Sequence, residues 1–186
     1  MAENDKEEKI TAKEVLSLVI YFAIVIIAMF LIIHFVGQRT EVSGTSMENT
    51  LNDGDNLIVD KISYRFRDPE RFDIIIFPYQ YEEDTYYIKR IIGLPGETVQ
   101  IDEEGNIYID GEVLYESYGR EVIQNPGLAK DAIKLEEDEY FVLGDNRNNS
   151  SDSRDPSVGI IYRTDIIGRA WLRIYPFKDF GFIKHQ

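Results

Sequence analysis

The chain has 186 residues with Lys+Arg 20 against Asp+Glu 34, a formal charge of −14. So acidic a surface repels a phosphate backbone, and no nucleic acid is expected as a partner. There is no cysteine, which excludes disulfides, thiolate metal sites and a cysteine nucleophile, and leaves hydroxyls, amines and carboxylates for any catalysis.

In chain order, residues 1–14 (MAENDKEEKITAKE) are a polar tail in which Lys6, Lys9 and Lys13 stand among five acids. Residues 15–36, VLSLVIYFAIVIIAMFLIIHFV, hold no Asp, Glu, Lys or Arg over 22 positions, or ~33 Å of helix, enough to cross a bilayer. Apolar residues lie on every face of it, unlike the single stripe of a core helix. The run ends in HFVGQRT with no A-x-A site after it, so an uncleaved anchor is expected rather than a removed leader. Lysines on its N-terminal flank predict a cytoplasmic N-terminus, which places residues 37–186, with a charge of −12, outside. His34 sits about one turn from the end of the run and is expected to stay neutral near the interface.

Beyond the span the pattern changes to short strands: DNLIVDK, FDIIIFPY, DTYYIKRIIG, ETVQIDEEGNIYIDGEVL, EYFVLGD and IIGRAWLRIYPF, broken by NDGD, GLPGE, EEGN and DG. Val, Ile, Tyr and Phe dominate them, so the outer unit is expected to be mostly β. VQIDEEGNIYIDGEVL predicts consecutive hairpins, with a tight turn at Asp110-Gly111. Helical turns are expected only after Thr45 and near Arg163 to Ile167.

Three islands carry residues that a structural β domain does not need: Ser43 to Leu51, Tyr86 to Glu97, and Gly144 to Arg154. Lys89 lies among Ile88, Ile91 and Ile92, and alternation puts it and Arg90 on opposite faces of a strand. At least one of these cations therefore risks burial. A lysine escapes that cost by losing its proton, which an arginine cannot do, and a neutral lysine is a general base. Lowering its pKa from ~10.4 to ~8.4 corresponds to ~2.7 kcal/mol, within reach of burial. Ser46, in a Gly-containing turn, offers a hydroxyl for such a base to activate. The two histidines, His34 and His185, fall in the span and at the penultimate position, so a Ser-His-Asp triad is not expected and a Ser-Lys pair survives. Each island alone has a plain alternative: SGTS as a polar loop, and Lys89 on a solvated face with Arg90 paired inside.

The ordered set S-G-x-S-M-x-x-T-L, G-D-x-x-x-V-D-K, K-R-I-I-G-L-P-G and G-D-N-R-x-x-S-x-D-S-R, behind an N-terminal span, resembles type I signal peptidase of the single-span, Gram-positive kind. The resemblance implies an antiparallel β catalytic domain of the signal-peptidase/LexA-like type. It implies a membrane-bound serine endopeptidase that removes signal peptides from exported preproteins after small residues. By the same resemblance Ser46 is the nucleophile, Lys89 the general base and Ser150 the residue that orients the lysine. Arg90 with Asp145, and Asp152 with Arg154, are implied ion pairs that shape the site, while Met47 and Ile88 border the substrate pockets. No metal or cofactor is implied; the partners are preproteins and the lipid bilayer, and the expected state is a monomer. Two positions depart from the family pattern. Asn49 replaces a proline, which predicts a freer loop. Gly44 stands where some members place an oxyanion-donating hydroxyl, so Thr45 or a second backbone N–H would have to substitute. Two rival readings are a self-cleaving Ser-Lys repressor, which has no use for the span, and a catalytically silent membrane-anchored β domain that binds peptides or cell-wall components, which has no use for both Ser46 and Lys89.

Overall fold

The structure, a computed structural model, describes residues 11–35 and 37–184. The tail through residue 10, Val36 at the end of the expected span, the side chain of His34, and His185 lie outside the described residues. The chain divides into two units, residues 1–36 and 37–186.

The first unit holds α1 (Ala12–Phe35). Thr11 and Glu14 open it with a capping box: Thr11 N donates to Glu14 Oε2 at 2.8 Å and Glu14 N to Thr11 Oγ1 at 3.4 Å, satisfying two amides of the first turn. Its stretch Lys13–Phe30 has a mean hydropathy of 2.2 and is long and apolar enough to cross a membrane. Leu18, Val19, Ile20, Tyr21 and Phe22 are exposed in succession, so no one face is reserved for a protein core.

The second unit is built of β1 (Gly37–Glu41), β2 (Asn56–Asp60), β3 (Ile74–Pro78), β4 (Tyr86–Gly93), β5 (Thr98–Ile101), β6 (Ile107–Ile109), β7 (Glu112–Val113), β8 (Ile133–Lys134), β9 (Glu139–Leu143), β10 (Ile161–Tyr162), β11 (Gly168–Tyr175) and β12 (Gly181–Phe182). The larger sheet runs β1-β2-β11-β3-β4-β9-β10, with β12 on β11; the smaller runs β7-β6-β5-β8. Every pairing is antiparallel, and the mostly β architecture is as expected. The hairpins from Val99 to Val113 form as read. Asp110 and Gly111 both take positive φ, 52° and 85°, the signature of a type I′ turn whose twist suits a two-residue hairpin. A 3-10 turn at Arg163–Asp165 meets the second helical expectation.

Strand β3 has both faces in the interior. Ile74 and Ile76 pack with Val42, Met47, Leu51 and Leu57, whereas Ile75 and Phe77 pack with Ile91 and Val142. Each such side chain is worth about 1.5–3 kcal/mol of apolar burial. The register sets Ile75 opposite Lys89 and Ile74 opposite Arg90. Both cations are thereby carried inside, at 3% and 0% exposure. Strand β9 pairs with β4 only from Arg90 onward, so the edge of Tyr86–Lys89 that faces away from β3 has no strand partner among the described residues.

Candidate active site

Ser46 is presented by a loop pinned at its base and along its length. Val42 N donates to Asp55 O at 2.8 Å and Gly54 N to Val42 O at 2.9 Å, which brings the two ends together. Met47 and Leu51, one helical turn apart, are buried at 1% and 0% exposure and anchor the turn in the core. From behind, Asn146 N donates to Ser46 O at 3.0 Å and Asn146 Nδ2 to Thr45 O at 3.1 Å. The loop therefore has little freedom to move its serine. Asn49, at the proline position of the family pattern, has φ 97°, which a proline locked near −65° cannot adopt. Its Nδ2 donates to Tyr118 O at 3.4 Å, so the side chain ties down the turn that was expected to be freer.

Lys89 Nζ donates to Ser46 Oγ at 2.8 Å and to Ile88 O at 3.0 Å, with the Tyr87 ring 4.8 Å away. Burial pushes its pKa down to about 8; the carboxylates of Asp152 and Asp145 oppose the shift without overcoming it. The pair thus holds a hydroxyl against an amine that is partly neutral near physiological pH.

Arg90 and Asp145 form a fully buried, two-pronged ion pair: Nε to Oδ1 at 2.8 Å and Nη2 to Oδ2 at 2.7 Å, both side chains at 0% exposure. The remaining donors reach Phe72 O at 2.9 Å and Thr50 Oγ1 at 3.2 Å. Thr50 Oγ1 in turn donates to Asp145 Oδ2 at 2.6 Å, and the Tyr118 ring lies 3.8 Å from the guanidinium. With its hydrogen-bonding groups occupied, the pair can tolerate its dry surroundings. Lys89 and Arg90 leave opposite faces of β4 yet reach the two ends of one turn, Ser46 and Thr50.

Asp152 meets Arg154 in a second two-pronged pair, at 2.8 Å on each prong, and its Oδ2 also accepts Gly144 N at 3.0 Å. Gly144 is a close-approach point: a Cβ there would lie 2.2 Å from Ser150 Oγ and 2.5 Å from Ser46 O. Ser150 therefore sits beside the loop, but its buried hydroxyl makes no hydrogen bond to Lys89 or to any other described residue.

A cleft of about 270 Å³ runs between Thr40–Met47 on one side and Ile76 with Tyr86–Lys89 on the other, with Asn149 and Ser151 at its rim. Met47 and Ile88 both line it. Among the described residues no group of three His, Asp or Glu side chains could hold a metal ion. Sequence reasoning overlooked Thr50, Asn146 and Tyr118. The first two stood in islands already singled out; Tyr118 carried no signal at all.

An apolar N-terminal helix, followed by an antiparallel β unit that sets a serine hydroxyl against a buried lysine, is the outline of a membrane-associated hydrolase. The chain belongs to the signal peptidase family, peptidase S26, whose model matches residues 15–175. It is 41% identical over 155 residues to a probable signal peptidase I-2 of Synechocystis, covering 80% of this chain and 68% of that protein. A signal peptidase I P of Bacillus subtilis subsp. natto is 36% identical over 163 residues, covering 82% and 85%. A crystal structure of a signal peptidase I from Enterococcus faecalis V583 has 36% identity and a TM-score of 0.46, covering 55% of this chain and 97% of that one.

Proposed function

We propose that this enzyme is a membrane-anchored serine endopeptidase that removes signal peptides from exported preproteins, with Ser46 as nucleophile and Lys89 as general base. The observation that carries the reading is the 2.8 Å contact between Ser46 Oγ and the buried Nζ of Lys89. Neutral Lys89 accepts the Ser46 proton as the hydroxyl oxygen bonds to the scissile carbonyl carbon. The Ser46 N–H is one donor to the oxyanion. Collapse breaks the C–N bond, the lysine ammonium delivers its proton to the leaving amine, and the signal peptide remains as an ester on Ser46. Water then attacks the ester and passes a proton to Lys89. The proton returns to Ser46 Oγ as the ester bond breaks, so serine and lysine end as they began. Arg90, Asp145, Asp152 and Arg154 act by holding the two loops that flank the pair, and Ser150, whose buried hydroxyl has no hydrogen-bond partner among the described residues, orients Lys89.

The substrate binds extended, its backbone pairing with the open edge of Tyr86–Ile88 and with the segment Thr40–Ser43 across the cleft. Met47 and Ile88 narrow the cleft, which favours small residues of the A-x-A type before the cut. The segment 15–36 crosses the cytoplasmic membrane with the N-terminal tail inside and residues 37–186 outside, as a monomer. In that arrangement the lipid bilayer presents both enzyme and preprotein, and tethering raises the effective substrate concentration.

The test is cleavage of a preprotein bearing an A-x-A site in detergent micelles. The native chain should cut after the second alanine, and Ser46→Ala and Lys89→Ala should each lose at least ~10³-fold in rate. Full activity in either variant would remove that residue from the mechanism.

A further inference from the structure

We propose that the Thr45 hydroxyl, oriented by Asn149, is the second donor to the oxyanion; this rests on the reading of Ser46 as nucleophile. A developing oxyanion gains most from two donors already aimed at it. Gly44, the residue two before the serine, offers neither group: it has no hydroxyl, and its N–H is given to Asp53 Oδ1 at 2.8 Å. Its φ of 96° is also one that suits glycine and disfavours a side chain.

Thr45 is differently placed. Its carbonyl oxygen is held by Asn146 Nδ2 at 3.1 Å and by Glu48 N at 3.0 Å. Across a trans peptide the following N–H points the opposite way, so the Ser46 N–H faces away from Asn146. The Thr45 side chain belongs to the residue just before that N–H, and its Oγ1 accepts a hydrogen bond from Asn149 Nδ2 at 2.8 Å. A hydroxyl has one proton and two lone pairs. Asn149 occupies a lone pair and leaves the proton without an acceptor among the described residues. Thr45 and Asn149 line the same cleft as Ser46 and Lys89. Ser43 and Ser151 line it too, but among the described residues no hydrogen bond orients either hydroxyl, and a donor that must reorient as charge develops contributes less. Thr45 transfers no atom: its O–H donates to the oxygen when the carbonyl becomes tetrahedral and is released when the carbonyl re-forms.

The experiment compares Thr45→Val, Thr45→Ser, Asn149→Ala and Ser46→Ala in the full chain, in micelles, on an A-x-A preprotein. It also measures affinity for a peptide aldehyde of the same sequence, which forms a tetrahedral adduct with the serine, and for the uncleaved peptide bound to Ser46→Ala backgrounds of each variant. Thr45→Val should lower kcat about 10²-fold or more with KM within about threefold, and weaken the aldehyde by a similar factor while the uncleaved peptide binds as before. Thr45→Ser should recover most of the rate, and Asn149→Ala should lose about tenfold. Native-like kcat and aldehyde affinity in Thr45→Val would overturn the inference and hand the role to a backbone N–H. Equal losses in Thr45→Val and Thr45→Ser, accompanied by a lowered melting temperature, would also overturn it, in favour of a packing role. Cleavage by Ser46→Ala would instead sink the parent reading of the nucleophile.

Discussion

Lys89 concentrates the conflict between stability and function in one side chain. Its ordinary pKa of 10.5 falls to about 8 because the folded protein strips water from the ammonium. The folded state therefore releases its proton at lower pH than the unfolded state does. The sign follows: below about pH 8 both states hold the proton and the fold carries the whole burden of the buried charge. Between about 8 and 10.5 only the unfolded state holds it, and stability rises with pH. The burden is about 3 kcal/mol at neutral pH. Lys89→Met is expected to be inactive yet more stable by roughly 1–3 kcal/mol at pH 7, read from unfolding followed by fluorescence of Trp171, the one tryptophan. Activity should follow the same group in reverse. The kcat/KM profile is expected to fall about tenfold per pH unit below about pH 8, and a plateau extending down to pH 6 would contradict the lysine as base. The sequence already showed that Lys89 or Arg90 risks burial; it did not show that both are buried. That follows from β3, whose isoleucines pack on both sides of the sheet.

Among elements, β4 and the Gly144–Arg154 segment do the positioning. β4 delivers Lys89, the proposed base, with the buried arginine and an open edge within eight residues; Gly144–Arg154 brings Asp145 to the arginine, Asn146 to the back of the Ser46 loop and Ser150 beside it. Gly144 is where the two loops touch. Gly144→Ala would force a Cβ against the Ser46 carbonyl, backbone that cannot simply rotate away, and shift the serine relative to Lys89. Misplacement on the order of 1 Å costs about 10²-fold. The variant is expected to fold, with a lowered kcat, an altered cleft and a near-UV circular dichroism spectrum close to native; full activity would show that the two loops move independently. Strands β2, β3, β4, β5, β6, β7, β9 and β11 were legible because their apolar runs are bounded by turn residues. β1, β8, β10 and β12 were not. β1, GQRTE, has no apolar alternation and is a strand because β2 pairs with it, and the other three are two residues long.

For the whole molecule, the division at residues 36 and 37 separates an apolar helix from a β unit that has its own core. A fragment beginning at Gly37 is therefore expected to keep its kcat on a short soluble peptide. On a preprotein inserted in vesicles it should lose about 10²-fold or more in kcat/KM, because tethering no longer supplies effective concentration. Equal efficiency of fragment and full chain on vesicles would remove the anchor from substrate capture.

The amino-acid sequence by itself determined the apolar helix, the β class of the second unit and the membership of Ser46, Lys89, Arg90, Asp145, Asp152 and Arg154 in one ordered pattern. Those properties are local: hydropathy, alternation, turn residues and motif spacing are written within a few positions of one another. Only the tertiary structure decided what touches what. It set Lys89 against Ser46 across 43 positions, laid the Tyr118 ring on Arg90, clamped the Thr45 and Ser46 carbonyls with Asn146, and left the Ser150 hydroxyl without a partner among the described residues. Burial and hydrogen bonding between distant segments depend on how strands register and loops close, and no short stretch of residues records that.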